Sequence, residues 1–381
     1  MLINEKCFQH FELIEPFELI ERLYTLKPFR NFDIITMNRK NFLSSTITLL
    51  AASSVSGKSA NDTLTMLSAE ENYCTKPPLL IEGDTIGITS PAGSISLEDI
   101  QPAINKLTEW GFRVKIGNTI GKQHFTFGGT DEVRLLDFQE MLDDKNIKAI
   151  MCARGGYGIL RIIDQLNFKG FASNSKWIIG FSDVTILHSH INRNFKIATL
   201  HSKMCNSFLK DWTLAEDVQL KSIQTIHDCL TGKALSYDAT PNSYNRLGKA
   251  KGILIGGNLR VIENLCGSAS EIDTKHKILF LEDTEEYLYN IDRMLWNLKR
   301  SGKLTHLKGL IIGGFKIKKD EAGQEFGLRL EEMVMEKVKE FSFPVCFDFP
   351  VGHQKHNEAL ICGIQHELTV EAERVNLRFN Y

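Results

Sequence analysis

The amino-acid sequence predicts an α/β protein of two domains, the first built on a mainly parallel sheet flanked by helices. The chain has 381 residues, which exceeds the usual size of a single domain. From residue 78 onward, short apolar segments alternate with segments of helical spacing. Such alternation implies parallel strands covered by helices on both faces. Hydrophobic residues make up 43% of the chain, which is an ordinary globular composition.

The first domain is predicted to span residues 78–202. Its predicted strands are 84–89, 112–116, 147–152 and 177–181, and its predicted helices are 97–110, 133–142 and a short stretch at 162–166. Residues 203–250 are polar and irregular in pattern, so we interpret them as an inter-domain linker. The second domain, residues 251–381, is predicted to be smaller and either α/β or β-rich.

Residues 1–77 are an N-terminal extension that contains a signal-like segment at 37–60. Basic residues at Arg39 and Lys40 precede an apolar run that is too short for a bilayer anchor, and small residues follow through Ala60. This pattern predicts export to the periplasm, with Met37 as the natural initiator and no stable membrane anchor. An amphipathic helix packed on the body is the alternative, and the protein would then be cytoplasmic.

Charge and cysteine content narrow the classes of partner and site. The net charge of −2 offers no basic field for a polyanion, so nucleic acid is disfavoured as a partner. Eight cysteines occur singly, and we expect buried free thiols rather than disulfides or a metal site. They are Cys7, Cys74, Cys152, Cys205, Cys229, Cys266, Cys346 and Cys362. The sequence leaves the oligomeric state open, with a homodimer as one option.

Ser182 is the candidate nucleophile, at a predicted strand-to-helix turn. A serine in this position holds its hydroxyl at the open edge of a parallel sheet, where the following backbone N–H groups can stabilise an oxyanion. Gly180 permits a tight turn, but Val184 stands where the usual nucleophile elbow has its second glycine. A helix N-cap is the competing interpretation of Ser182.

A glycine-rich loop follows the preceding strand. Residues 153–158 read Ala-Arg-Gly-Gly-Tyr-Gly, and such a loop lets backbone approach a ligand and present N–H groups to it. It lacks the spacing of dinucleotide-binding and P-loop motifs. Ligand sites of parallel sheets lie outside the carboxyl ends of the strands, where this loop and Ser182 are both expected.

A serine nucleophile needs a base and an orienting carboxylate. His353 is the favoured base because Gly352 before it permits a tight approach, and His356 is the local rival. His188 and His190 follow Ser182 on one predicted helix but face different directions. For the carboxylate, the apolar strand at 278–281 ends in the acidic pair Glu282-Asp283, with a solvated strand end as the alternative.

Six motifs in order resemble the LD-carboxypeptidases, also called muramoyltetrapeptide carboxypeptidases. They lie at residues 83–91, 153–158, 180–183, 256–259, 281–283 and 352–353. The resemblance covers about residues 80–378. It implies a two-domain serine peptidase with its active site in the cleft between the domains. Members remove the terminal D-alanine from an L-configured centre, meso-diaminopimelate or lysine, in cell-wall tetrapeptides.

The resemblance also implies the roles of individual residues. Position by position, the nucleophile of the family matches Ser182, its glutamate Glu282 and its histidine His353. The oxyanion donors match the backbone N–H groups of Gly156 and Asp183. No cofactor and no metal are expected.

Substrate contacts and substrate class are less determined. Arg154 is a candidate for the terminal carboxylate of the substrate, with a structural ion pair as the alternative, and Tyr157 is a second candidate contact. Residues 201–203 read His-Ser-Lys where His-Gly-Pro-like residues are expected, so the cleft shape departs from the family. An immunity peptidase of the same family, acting on a peptide–nucleotide antibiotic, is one alternative, and Trp212 could contribute to such a site. A catalytically inactive two-domain binding protein is the other.

Overall fold

Two β-sheets organise the computed structural model, which describes residues 74–379. These residues belong to one compact unit that spans residues 71–381. The predicted signal-like segment at 37–60, the rest of the extension up to residue 73, and Cys7 lie outside the described residues. None of the helices between residues 74 and 379 has both the length and the apolar character needed to cross a membrane.

The first sheet has six strands in the order β11-β5-β4-β3-β1-β2. Its strands are β1 (Thr85–Thr89), β2 (Arg113–Ile116), β3 (Ile147–Cys152), β4 (Trp177–Gly180), β5 (Thr199–His201) and β11 (Leu360–Cys362). All neighbours pair in parallel except β11, which runs antiparallel to β5. The connecting helices are α1 (Leu97–Glu109), α2 (Asp131–Asp143) and α3 (Thr185–Asn194). The carboxyl ends of β3, β4 and β5 therefore lie side by side.

Local sequence explains where the first helices begin. Ser96 caps α1 in a capping box with Asp99, and each side chain accepts a hydrogen bond from the other residue's backbone N–H. Thr130 caps α2 through the backbone N–H of Val133. The four residues of β4 are all buried, as expected for a central strand covered on both faces.

The second sheet has seven strands in the order β10-β9-β8-β7-β12-β13-β6. Its strands are β6 (Leu235–Ala239), β7 (Gly248–Asn258), β8 (Ile278–Glu286), β9 (Gly309–Ile317), β10 (Val345–Cys346), β12 (Gln365–Val370) and β13 (Val375–Phe379). The half from β7 to β10 is parallel, and the half from β7 to β6 is antiparallel. Three helices accompany it, α5 (Leu259–Asn264), α6 (Leu288–Arg300) and α7 (Leu330–Lys337).

The predicted α/β class with two sheet-based halves is confirmed. Two features differ from the predicted organisation. The segment 203–250 contains a 15-residue helix, α4 (Asp217–Thr231), as well as β6 and the start of β7. Residues 360–362 lie in the predicted second domain, yet β11 pairs with β5 of the first sheet.

Apolar packing joins the two halves. One continuous cluster of buried side chains includes Ile86 and Ile179 of the first sheet together with Leu254 and Leu368 of the second. Two further clusters cover the remaining faces of the sheets. The seven cysteines within residues 74–379 are free thiols, and all but Cys266 are buried, as predicted.

Candidate active site

Ser182 lies directly beyond β4 in a strained backbone conformation. Its φ angle is +64°, in the left-handed region that non-glycine residues rarely occupy. It begins a short 3₁₀ turn, Ser182–Val184, that leads into α3. The side chain of Ser182 caps neither the turn nor the helix, so the N-cap interpretation is wrong. Strain of this kind persists where the surrounding structure holds it, and it is concentrated at functional sites.

The glycine-rich loop packs directly against Ser182. A Cβ atom at Gly155 would lie 2.9 Å from Ser182 Cβ and 3.0 Å from its Oγ, so only glycine allows this approach. The neighbouring residue Gly156 lines the same cavity as Ser182. Its backbone N–H makes no hydrogen bond to any group within residues 74–379. That donor is therefore available to a ligand beside the serine hydroxyl.

The Asp183 side chain holds this loop in place. Its buried carboxylate accepts a hydrogen bond of 2.9 Å from the Ile159 N–H, and the Gly158 N–H also donates to it. Burial raises the pKa of Asp183 to about 6, although both N–H groups act in the opposite direction. Asp183 thus presents its backbone N–H next to Ser182 while its side chain fixes the loop that carries Gly156.

A cavity of about 360 Å³ opens beside Ser182 and is lined by residues of both halves. Gly156, Tyr157, Leu160, Ser182, Asp183 and Ile186 come from the first half, and Asn258, Arg260, Val261, Asn264, Leu265, Asp283, Thr284 and Glu286 come from the second. Thr185 ties the halves together here, because its Oγ1 accepts a hydrogen bond of 3.1 Å from the Asn258 N–H. The candidate nucleophile therefore faces the space between the two sheets.

Glu282 and His353 form a pair in the second half. His353 Nδ1 lies 2.5 Å from Glu282 Oε2, and Glu282 is fully buried in the middle of β8. Gly352, with φ +97°, brings the histidine loop against this carboxylate, since a Cβ there would lie 2.3 Å from Glu282 Cβ. Asp283 is buried as well, so the alternative of a solvated strand end is wrong.

A second imidazole, not singled out from the sequence, lies behind Glu282. His201 ends β5, is fully buried, and places Nε2 3.9 Å from Glu282 Oε1. Neither of its ring nitrogens has a hydrogen-bond partner among the described residues, nor does that carboxylate oxygen. Burial raises the pKa of Glu282, but the His201 and His353 imidazoles outweigh this and lower it to about 2.

The structure does not join Ser182 to His353. No hydrogen bond links the two side chains within the described range, and the Phe181 ring lies 4.8 Å from the imidazole ring, centroid to centroid. His353 lines a different cavity, of about 560 Å³, with Lys316 and Gln354. Lys203, at the position that departs from the family pattern, donates to the Gln354 carbonyl at 2.7 Å. This bond ties the histidine loop to the segment after β5.

The other histidine candidates are engaged elsewhere. His188 is buried, with Nε2 2.9 Å from the Gly180 carbonyl, and burial lowers its pKa to about 3. His190 Nδ1 lies 2.8 Å from Ser270 Oγ. His356 Nε2 lies 2.7 Å from Glu358 Oε1 rather than near Glu282. His353 is thus the histidine that contacts the Glu282 carboxylate through a hydrogen bond.

The candidate substrate contacts lie in different places. Tyr157 lines the Ser182 cavity and is half exposed. Arg154 does not line that cavity, and its Nη1 donates to the Ser94 carbonyl at 3.0 Å. Trp212 lies in a separate groove against α1, with Lys106 Nζ 4.7 Å from its ring centroid.

Known proteins are similar to this chain in sequence and in fold. Residues 86–202 match the N-terminal domain of the LD-carboxypeptidases, and residues 251–368 match the C-terminal domain. A probable murein peptide carboxypeptidase of Bacillus subtilis is 33% identical over 298 residues, which cover 77% of this chain and 90% of that protein. The Microcin C7 self-immunity protein MccF of Escherichia coli is 25% identical over 333 residues, covering 80% of this chain and 95% of that protein.

A solved structure agrees with this assignment. The crystal structure of muramoyltetrapeptide carboxypeptidase from Oxalobacter formigenes superposes with a TM-score of 0.69 at 27% identity. The match covers 78% of this chain and 99% of that one. The two domain matches, the identity to the Bacillus protein and this shared fold lead to one conclusion. The chain belongs to the LD-carboxypeptidase family of peptide-bond hydrolases.

Proposed function

We propose that this protein is a serine carboxypeptidase that removes the terminal D-alanine from muropeptide tetrapeptides with the triad Ser182, His353 and Glu282. The observation that carries the proposal is the buried Glu282 carboxylate 2.5 Å from His353 Nδ1. It leaves Nε2 of the imidazole as the atom that can accept a proton. Relatives named probable murein peptide carboxypeptidase and murein tetrapeptide carboxypeptidase support the substrate class.

The chemistry follows from these groups. Ser182 Oγ attacks the carbonyl before D-alanine as His353 Nε2 takes its proton. Glu282 stays ionised, since its pKa is about 2, and it stabilises the imidazolium that forms. The N–H groups of Gly156 and Asp183 bind the oxyanion, and loss of one such donor typically costs about 10²–10³ in turnover. His353 then protonates the leaving amine, and water hydrolyses the acyl-enzyme by the same steps in reverse.

The proposal requires Ser182 and His353 to approach one another when substrate binds. Catalytic hydrogen bonds are often long or absent in unliganded enzymes and form only in the complex. We propose that the histidine loop, residues 350–357, makes this movement relative to the first sheet. The Lys203–Gln354 hydrogen bond links this loop to the segment that follows β5.

A peptide–nucleotide substrate is less well supported. The similarity to the immunity protein MccF of Escherichia coli supports this alternative, because its alignment covers as much of this chain as the alignment to the Bacillus protein. The aromatic residue that suggested it, Trp212, lies in a groove on α1 rather than in the Ser182 cavity. We therefore favour the muropeptide.

Release of D-alanine from L-Ala-γ-D-Glu-meso-diaminopimelyl-D-Ala by the purified protein tests the proposal directly. A fluorophosphonate probe tests the nucleophile separately, because it labels activated serines irrespective of the natural substrate. Ser182→Ala should abolish both release and labelling. Ser207→Ala, a half-buried serine of the same half, is the matched control and should retain both.

The two readouts separate the alternatives. Labelling without D-alanine release would retain the serine hydrolase and remove the muropeptide substrate. Absence of both in a folded protein would favour the inactive binding protein. Labelling that survives Ser182→Ala would refute the assignment of the nucleophile.

A further inference from the structure

The cavity beside Ser182 combines an apolar wall with an ion pair. Ile186, Val261 and Leu265 supply apolar side chains, and Arg260 and Glu286 supply the charges. Arg260 Nη1 lies 2.5 Å from Glu286 Oε1. The cavity at Ser182 therefore offers a substrate side chain both apolar surface and two charges of opposite sign.

The two charges differ in how firmly they are held. The Glu286 side chain is 14% exposed and also accepts a hydrogen bond of 3.0 Å from Asn290 Nδ2. The Arg260 side chain is 53% exposed, and one of its five N–H donors reaches Glu286. The guanidinium can therefore shift toward a second anion while the carboxylate stays in place.

The neighbouring acid does not compete for the same role. Asp283 is buried and accepts hydrogen bonds of 2.9 Å from Asn258 Nδ2 and 3.0 Å from the Arg260 N–H. Its acceptor sites are used to hold the start of α5. This leaves Glu286 as the carboxylate in the cavity that can bind an incoming cation.

We propose that the Arg260–Glu286 pair recognises the zwitterionic end of the substrate side chain on the acyl side of the cleaved bond. This inference rests on the proposed function and specifies its substrate. A meso-diaminopimelyl side chain has an apolar stem that ends in an ammonium and a carboxylate. The ammonium binds Glu286 and the carboxylate binds Arg260, so each charge of the enzyme pair gains a partner of opposite sign.

A lysyl side chain satisfies this arrangement only in part. It has the same apolar stem and an ammonium for Glu286, but no carboxylate for Arg260. One charge-assisted contact is then missing, which corresponds to about a ten-fold lower kcat/KM. The pair therefore selects tetrapeptides with a diamino diacid at the third position over those with lysine.

The test compares kcat/KM for two tetrapeptides that differ only in meso-diaminopimelate or lysine at the third position. The wild type should prefer the first by about ten-fold. Arg260→Gln should reduce this preference toward one, whereas Arg260→Lys, which keeps the positive charge, should retain most of it. Arg374→Gln is the matched control, because Arg374 is about as exposed as Arg260 and its ion-pair partner Asp238 lies on the edge strand β6 of the second sheet. Its preference should equal that of the wild type.

The outcomes separate this inference from the proposed function. Equal kcat/KM for both peptides in the wild type, or an unchanged ratio in Arg260→Gln, would overturn the specificity role alone. D-alanine release from neither peptide would overturn the proposed function and this inference with it. The labelling rate with fluorophosphonate reports whether each variant retains a folded site. If Arg260→Gln loses labelling, the inference is tested instead by the kcat/KM values for the two peptides in Arg260→Lys and in Glu286→Gln. Glu286→Gln should weaken both peptides, and an unchanged efficiency for both would refute the inference.

Discussion

Gly352 offers a sharp test of the histidine loop, because an added methyl group there would meet the carboxylate that holds His353. A Cβ at this position would lie 2.3 Å from Glu282 Cβ, and 2.7 Å from both Cγ and Oε2. Ordinary contact between carbon atoms requires about 3.5–4.0 Å, so loop and carboxylate must separate by about 1 Å. Gly352→Ala should therefore displace His353 from Glu282.

This substitution has two effects, a backbone cost to stability and a loss of catalytic rate, and a control variant separates them. Alanine in a left-handed conformation costs about 1–2 kcal/mol wherever it occurs. Displacement of a catalytic group by about 1 Å costs about 10²-fold in rate. Gly302→Ala is the matched control, because Gly302 has φ +76° and nothing lies within 4 Å of the added Cβ. Both variants should lose thermal stability through this backbone cost, and Gly352→Ala should lose more because of its overlap with Glu282.

The assay is D-alanine release, with fluorophosphonate labelling as a second readout and thermal unfolding as the measure of stability. Gly352→Ala should lose about 100-fold in kcat/KM, whereas Gly302→Ala should stay near the wild type. Equal activity in the two variants would show that the Glu282–His353 contact does not limit catalysis. The reasoning about the triad would then be refuted.

Three further predictions concern the buried polar groups. His201→Phe removes the imidazole that lies 3.9 Å from Glu282 Oε1 and helps to lower the pKa of that carboxyl, so it should lower stability at neutral pH by about 1–3 kcal/mol. Because the pKa of Glu282 is lowered to about 2, the ionised carboxylate stabilises the folded state above pH 4.5, and this stabilisation is lost as the pH falls towards 2. The difference in Tm between the wild type and His201→Phe should therefore narrow over that range. Burial raises the pKa of Asp183 to about 6, so protonation of this carboxyl stabilises the folded state at low pH, and that stabilisation is lost as the pH rises through 6. Asp183→Asn removes the titrating group and should flatten the pH dependence of Tm between about 4 and 6. An unchanged curve would contradict this. Asp137→Ala removes the acceptor of four hydrogen bonds from residues 89, 118 and 119 and should cost about 3 kcal/mol in urea unfolding, whereas the exposed Asp143→Ala on the same helix should cost little.

Local patterns in the sequence were sufficient to predict much of the first sheet. The strand at 177–181 and the turn at Ser182 were predictable because a fully apolar run before Ser-Asp allows few other conformations. The burial of the acidic pair after 278–281 was predictable in part, since a buried apolar strand carries the residues next to it into the interior, but no pattern showed that β8 continues to Glu286. These signals depend on neighbours along the chain.

Features that depend on distant neighbours were not predictable. His201 lies behind Glu282 only because β5 and β8 belong to sheets that pack together, and no local pattern contains that information. The three residues of β11 are too few for a periodic signal, and their partner β5 lies about 160 residues earlier. Helix α4 did carry a signal, as Ile223, Ile226 and Leu230 recur at helical spacing, but the polar residues between them obscured it.

The pairing of β11 with β5 also has a consequence during synthesis. Until residues 360–362 leave the ribosome, β5 presents an open hydrogen-bonding edge beside the strand that carries the turn at Ser182. At the usual elongation rate of about 5–20 residues per second, this exposure lasts roughly 10–30 s after β5 itself has been made. A nascent or truncated chain would therefore offer its nucleophile half to chaperones, or to other copies of itself, before it could act on any peptide. Completion of the polypeptide closes the sheet edge, and the same late segment supplies His353.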